Sequence, residues 1–320
     1  MGRQFSVPSP QFSVEGILSL SSPDNPQFEL PLAGGEAPAP MAGDPFTPPI
    51  TSPVISGPTG PEILAPVPVP TPPPPRDPVW SGWDVLIIAA LTAVSIPVVG
   101  VFVVLTAHVV APRTSLGDVA PVLILIAQFL AYVVVALFMV MLVEGKYHVR
   151  FWQAIRWNWP RAEWKWIGVG VLLLLSISLI SHFLPMPKST PFDQFFSRPR
   201  DAYLIALFAV TLGPLMEELF FRGLLYPVLA RWLGVPWGIV LTALPFGLLH
   251  MFQYGYAWGV VLLIFLMGVV CTVVREMTGS VASSFLVHVG YNATEMLLLV
   301  MATDGFRHME KAAAVVPFGI

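Results

Sequence analysis

Three short clusters in the apolar second half of the chain combine groups that can do chemistry: Glu217-Glu218-Leu-Phe-Phe-Arg222, Phe246-Gly-Leu-Leu-His250 and His288-Val-Gly-Tyr-Asn292. Charged side chains are costly in apolar helices and persist mainly where they line a cavity, pair, or react. Helical phase separates the two glutamates, because residues four apart share a face while neighbours point about 100° apart. Glu218 therefore aligns with Arg222, and the two neutralise each other within one helix. Glu217 points elsewhere as an unpaired carboxylate and is the better base. Phe246 shares a face with His250, so its ring walls the cavity into which the imidazole points. His288 and Asn292 present two hydrogen-bonding groups to one space. Pro214 and Pro245 precede the glutamates and His250, and each predicts a kink that admits water.

A glutamate, two histidines and an asparagine around a wet pocket can hydrolyse an amide by two routes. In the first, Glu217, helped by His250, deprotonates a water that attacks the scissile carbonyl, while His288 and Asn292 donate hydrogen bonds to the oxyanion. This route needs no cofactor. In the second, His250, His288 and Glu217 bind zinc, which supplies the activated water. Glu295, seven residues after His288 and on its face, is a further carboxylate for such a set. Absent motifs narrow the field. The chain has no H-E-x-x-H zinc-protease helix, no Gly-x-Ser-Gly and no Gly-x-Gly-Asp.

These residues need helices to position them, and the composition supplies helices of one kind. Hydrophobic residues make up 55% of the 320 and charged residues 11%, which is membrane-protein composition. The apolar runs lie between residues 81 and 303. Seven approach the ~20 residues that cross a bilayer as helix: 83–109, 119–143, 165–184, 202–226, 236–253, 256–274 and 281–302. Gly223 to Leu233 can break off at Pro227 as an eighth, amphipathic element. The expectation is an all-α, polytopic transmembrane bundle of about seven to eight helices, with its motif core at 202–302 and a short tail at 304–320. Trp80, Trp83, Trp157, Trp159, Trp164, Trp166, Trp232, Trp237 and Trp258 fall where an interface belt belongs.

Residues 1–80 hold about two-thirds of the 34 prolines and end in Pro66-Val-Pro-Val-Pro-Thr-Pro-Pro-Pro-Pro75, which favours extended polyproline chain over helix. They read as a disordered tail that can bind a partner, and Gln4-Phe-Ser-Val7 recurs in it as Gln11-Phe-Ser-Val14. The start lacks the pattern of a secretory signal; Gly2 with Ser6 fits a short, common myristoylation template. Loop 144–165, with Lys146, Arg150, Arg156, Arg161 and Lys165, is the densest basic loop and so cytoplasmic. An even number of crossings puts the tail on the same side. Loop 185–201, with Lys188, Arg198 and Arg200, then lies outside and departs from that rule. Net charge of −3 gives no basic face for nucleic acid. The single cysteine, Cys271, reads as a buried small hydrophobe.

The order Glu-Glu-x-x-x-Arg, Phe-x-x-x-His, His-x-x-x-Asn, each on its own helix, resembles the CPBP family of CAAX-processing and Abi-type intramembrane endopeptidases. The resemblance implies Glu217 as the water-activating residue, His250 as its partner, and His288 with Asn292 on the oxyanion side. Glu218, Arg222 and Phe246 take supporting roles. It further implies a membrane protein or lipidated peptide, in some members of CAAX type, as substrate, and the cell membrane as location. Two other classes fit the same residues: a non-catalytic scaffold or immunity protein, and a transporter moving protons through the buried Glu and His.

Overall fold

The computed structural model describes residues 77–113, 115–187 and 189–314, all of which fall in the compact unit Thr71–Ile320. The Pro-rich stretch, the Gln-Phe-Ser-Val repeat, Gly2, Ser6 and Lys188 lie outside them. The described residues form helices and no strands. Six helical stretches are long and apolar enough to cross a membrane: Gly82–Val110, Val119–Tyr147, Glu163–Ser181, Pro199–Leu233, Trp258–Thr278 and Val281–Ala302. The chain is an integral membrane protein of the all-α class.

The long helices α1 (Gly82–Val110) and α2 (Leu116–Tyr147) form an antiparallel pair. Ser81 caps α1 in a capping box with Asp84. Asp84 also receives Lys146 Nζ at 2.6 Å and the Tyr147 hydroxyl at 2.5 Å. Lys146 is thus the helical end of α2 rather than loop. A single turn, α3 (Phe151–Ala154), leads to α4 (Glu163–Ser181). A 3₁₀ turn at Pro191–Phe196 then precedes the motif-bearing run.

That run is interrupted where proline dictates. Helix α5 (Pro199–Val210) ends at Thr211, and α6 (Leu212–Glu218) restarts beyond it. Pro214 has no N–H to bond residue 210 and its ring crowds that carbonyl, so the predicted kink appears three residues upstream of it. Pro245 lies inside its helix without interrupting it. From Leu219 to Leu225 the helix widens into a π segment, through which the Tyr226 N–H reaches the Phe221 carbonyl. The amphipathic eighth element exists as α7 (Tyr226–Leu233), entered through that segment rather than by a break at Pro227.

Gly234, at φ 81°, turns the chain into α8 (Val235–Leu249). This helix is shorter than the predicted 236–253. Its 15 residues rise only about 22 Å, short of a ~30 Å hydrocarbon core, so six full-length stretches and one short helix replace the seven expected spans. Turns at 250–256 link α8 to α9 (Trp258–Thr278). Gly279, at φ 62°, closes α9 and Ser280 caps α10 (Val281–Ala302).

Two apolar cores result. One gathers Leu174 of α4, Ile205 of α5, Leu263 and Met267 of α9 and Val287 and Leu299 of α10. The other gathers Val85 and Ile88 of α1, Val135 and Met139 of α2, and Leu219 and Leu224 of the π segment. Phe221 belongs to the first core, so the motif helix is gripped from both sides. Of the tryptophans assigned to the belt, Trp83, Trp159, Trp164, Trp232, Trp237 and Trp258 are exposed. Trp80 is not: it is buried and its indole N–H donates to the Leu224 carbonyl at 2.9 Å.

Candidate active site

Helices α6, α8 and α10 deliver the three clusters to one cavity of about 720 Å³, and Glu217, Phe246, His250, His288, Asn292 and Glu295 all line it. Tight helix packing places α10. A Cβ on Gly170 of α4 would strike the Val287 carbonyl, and one on Gly290 would lie 2.9 Å from the Ile167 Cα, so the two backbones meet through paired glycines. At its start, α10 is tied by the Val281 N–H to the Arg156 carbonyl at 3.1 Å and by the Ser280 hydroxyl to the Asn158 carbonyl.

The two glutamates have different surroundings. Glu218 and Arg222 are fully buried, with Nη1 donating to Glu218 Oε1 at 2.9 Å. Arg222 spends its other donors on the Gly268 carbonyl at 2.8 Å and the Thr272 hydroxyl at 3.3 Å. Its guanidinium carbon lies 4.6 Å from the Phe246 ring centroid. Glu218 also receives His288 Nδ1 at 2.9 Å on Oε1, and the Ser284 hydroxyl stands 2.6 Å from Oε2. Its oxygens are fully engaged.

Glu217 faces the cavity with 25% of its side chain exposed, and His288 Nε2 lies 3.6 Å from its Oε2. That imidazole stands at ion-pair distance but beyond hydrogen-bond length, an approach that helical phase alone does not report. One imidazole stands between both glutamates, an interhelical contact that spacing along one helix cannot report. An ionised carboxylate only accepts, so Nδ1 of His288 carries a proton and Nε2 is the nitrogen turned toward Glu217.

His250 is the C-cap of α8 rather than an interior residue. Its Nδ1 lies 2.8 Å from the Phe246 carbonyl, which fixes the proton on Nδ1 and leaves Nε2 as the acceptor. The Phe246 ring sits 5.1 Å from the His250 ring, 6.0 Å from His288 and 5.1 Å from Phe221. It is a hub in contact with both imidazoles as well as a wall. Asn292 donates from Nδ2 to the Ala209 carbonyl at 2.8 Å, just before the break at Thr211. Its amide has a second N–H to offer.

Glu295 is buried beside the same cavity, and its Oε1 has no hydrogen-bond partner among the described residues. No three His, Cys, Asp or Glu side chains among the described residues gather closely enough to hold a metal ion, the trio His250, His288 and Glu217 included. Sequence reading did not single out Ser284, Gly268 and Thr272, which satisfy Glu218 and Arg222, or Gln128 and Tyr132 of α2, which line the cavity and bond each other at 2.9 Å. Each had a faint signal. Ser284 precedes His288 by four, Gly268 precedes Thr272 by four, and Gln128 precedes Tyr132 by four, so each pair marks one helix face.

Residues 199–294 match the family model described as type II CAAX prenyl endopeptidase Rce1-like. The matched stretch is under a third of the chain, runs from α5 into α10 and contains all three clusters. That part of the chain is related to the CPBP and CAAX-protease family. No curated protein and no solved structure matches the chain.

Proposed function

We propose that the protein is an intramembrane endopeptidase that hydrolyses a peptide bond of a membrane protein or lipidated peptide, of CAAX type or a related kind, with water activated by Glu217. The observation that carries this reading is the division of labour between adjacent glutamates: Glu218 is consumed by Arg222, His288 and Ser284, whereas Glu217 opens onto a cavity shared with His250.

In the proposed reaction a water held between Glu217 and His250 Nε2 gives a proton to the Glu217 carboxylate as its oxygen bonds to the scissile carbonyl carbon. The carbonyl π electrons move to oxygen. That oxyanion is met by the free N–H of Asn292 and by Nε2–H of His288 in its imidazolium form. Collapse of the tetrahedral intermediate breaks the C–N bond, and the proton held by Glu217 passes to the leaving amine. A carboxylate product and an amine product result, with no other reactant.

Glu218 and Arg222 act through His288: the carboxylate holds its Nδ1–H and ring plane. The reading is tested with purified full-length protein in liposomes, offered lipidated and unlipidated peptides. Glu217→Gln and His250→Ala, each folded, are expected to lose cleavage by about 10²-fold or more. Full activity in both variants would refute it and leave a non-catalytic role for the fold.

A further inference from the structure

We propose that Glu295 is a specificity determinant that binds a basic side chain, Lys or Arg, of the substrate about three residues from the bond that is cut. This rests on the hydrolase reading above and concerns a residue that lies one position beyond the stretch shared with the CAAX-endopeptidase family.

Glu295 belongs to the same face of α10 as His288, and the two line one cavity. His288 is bonded there through Nδ1 to Glu218, and its Nε2 is approached by Glu217. Glu295 differs. Its residue is 9% exposed, and among the described residues no group donates to its Oε1. A buried carboxylate oxygen without a donor is a standing cost. It is relieved by whatever donor enters the cavity. Among the described residues no lysine or arginine lines that cavity, and a cation brought by the ligand would complement Glu295.

The position follows from helix geometry. Seven residues along α10 separate His288 from Glu295, a rise of about 10 Å. An extended peptide advances about 3.3 Å per residue. With its scissile carbonyl at His288 and its backbone running along α10, a substrate therefore brings its third residue from that bond to Glu295. A Lys or Arg stem also packs its methylenes against the apolar wall, which includes Tyr291 and Met296.

Full-length wild type, Glu295→Gln and Glu295→Lys in phosphatidylcholine and phosphatidylglycerol liposomes are given a pool of amphipathic peptides of varied sequence, and the products are read by mass spectrometry. Wild type is expected to favour Lys or Arg over Leu, at the third residue on one side of the cut, by roughly tenfold or more. Glu295→Gln keeps the side-chain volume and should erase that preference, and Glu295→Lys should turn it toward Asp and Glu. If Glu295→Lys does not reconstitute, Glu295→Gln decides alone. Cleavage that depends on Glu217 but shows no basic preference, or an unchanged preference in Glu295→Gln, overturns this inference while sparing the hydrolase reading. No Glu217-dependent cleavage overturns both.

Discussion

Replacing each adjacent glutamate by its amide should separate stability from chemistry. In Glu218→Gln the buried Arg222 loses the anion 2.9 Å from its Nη1, in surroundings with no exposure to water. Removing one partner of a buried pair costs about 3–5 kcal/mol, because the other charge is left uncompensated. For a helical domain of this size that is a fall in thermal midpoint on the order of 10 °C. Glu217→Gln removes a quarter-exposed carboxylate whose nearest imidazole nitrogen is 3.6 Å away, beyond hydrogen-bond length. Its cost is about 1 kcal/mol or less, a shift of a few degrees. Activity should invert that order: Glu217→Gln loses the general base and about 10²–10⁴ of the rate, while Glu218→Gln keeps residual cleavage at temperatures where it stays folded. The assay is a thermal scan of tryptophan fluorescence in detergent beside cleavage by the same preparations. Equal destabilisation of the two variants, or an active Glu217→Gln, would refute the division of roles.

Three further outcomes follow from the same contacts. Arg222→Lys should destabilise nearly as much as loss of the pair, since one ammonium cannot reach Glu218, Gly268 and Thr272 together and stack on Phe246; a thermal scan measures it. Gly290→Leu should part α4 from α10, lowering both the midpoint and cleavage, because the close approach at Ile167 leaves no room for a side chain. Chelation should leave cleavage unchanged if water is activated by Glu217, and elemental analysis of the purified protein should find no stoichiometric zinc; loss on chelation restored by zinc would establish the metal route instead.

Much of this arrangement is local and so was legible in the sequence. The Glu218–Arg222 pair, the Phe246–His250 stack and the shared face of His288 and Asn292 are all separations of four on a helix, and apolar runs mark the helices that carry them. What escaped was non-local. Nothing along α6 reports that His288 joins both glutamates, or that Gly268 and Thr272, about 50 residues on, accept from Arg222. The early end of α8 escaped because Met251 and Phe252 continue its apolar run, although the helix stops at Leu249. Trp80 was misread for a related reason: its place beside a helix start suits an interface belt, but the π segment offers its indole the Leu224 carbonyl.

The central claim is that Glu217 makes this protein a protease, and it is tested most directly by comparing the membrane proteome of cells that carry the wild type with that of cells carrying Glu217→Gln at equal expression. New C-termini present with the wild type and absent with the variant are the predicted result. Identical sets of termini would contradict it.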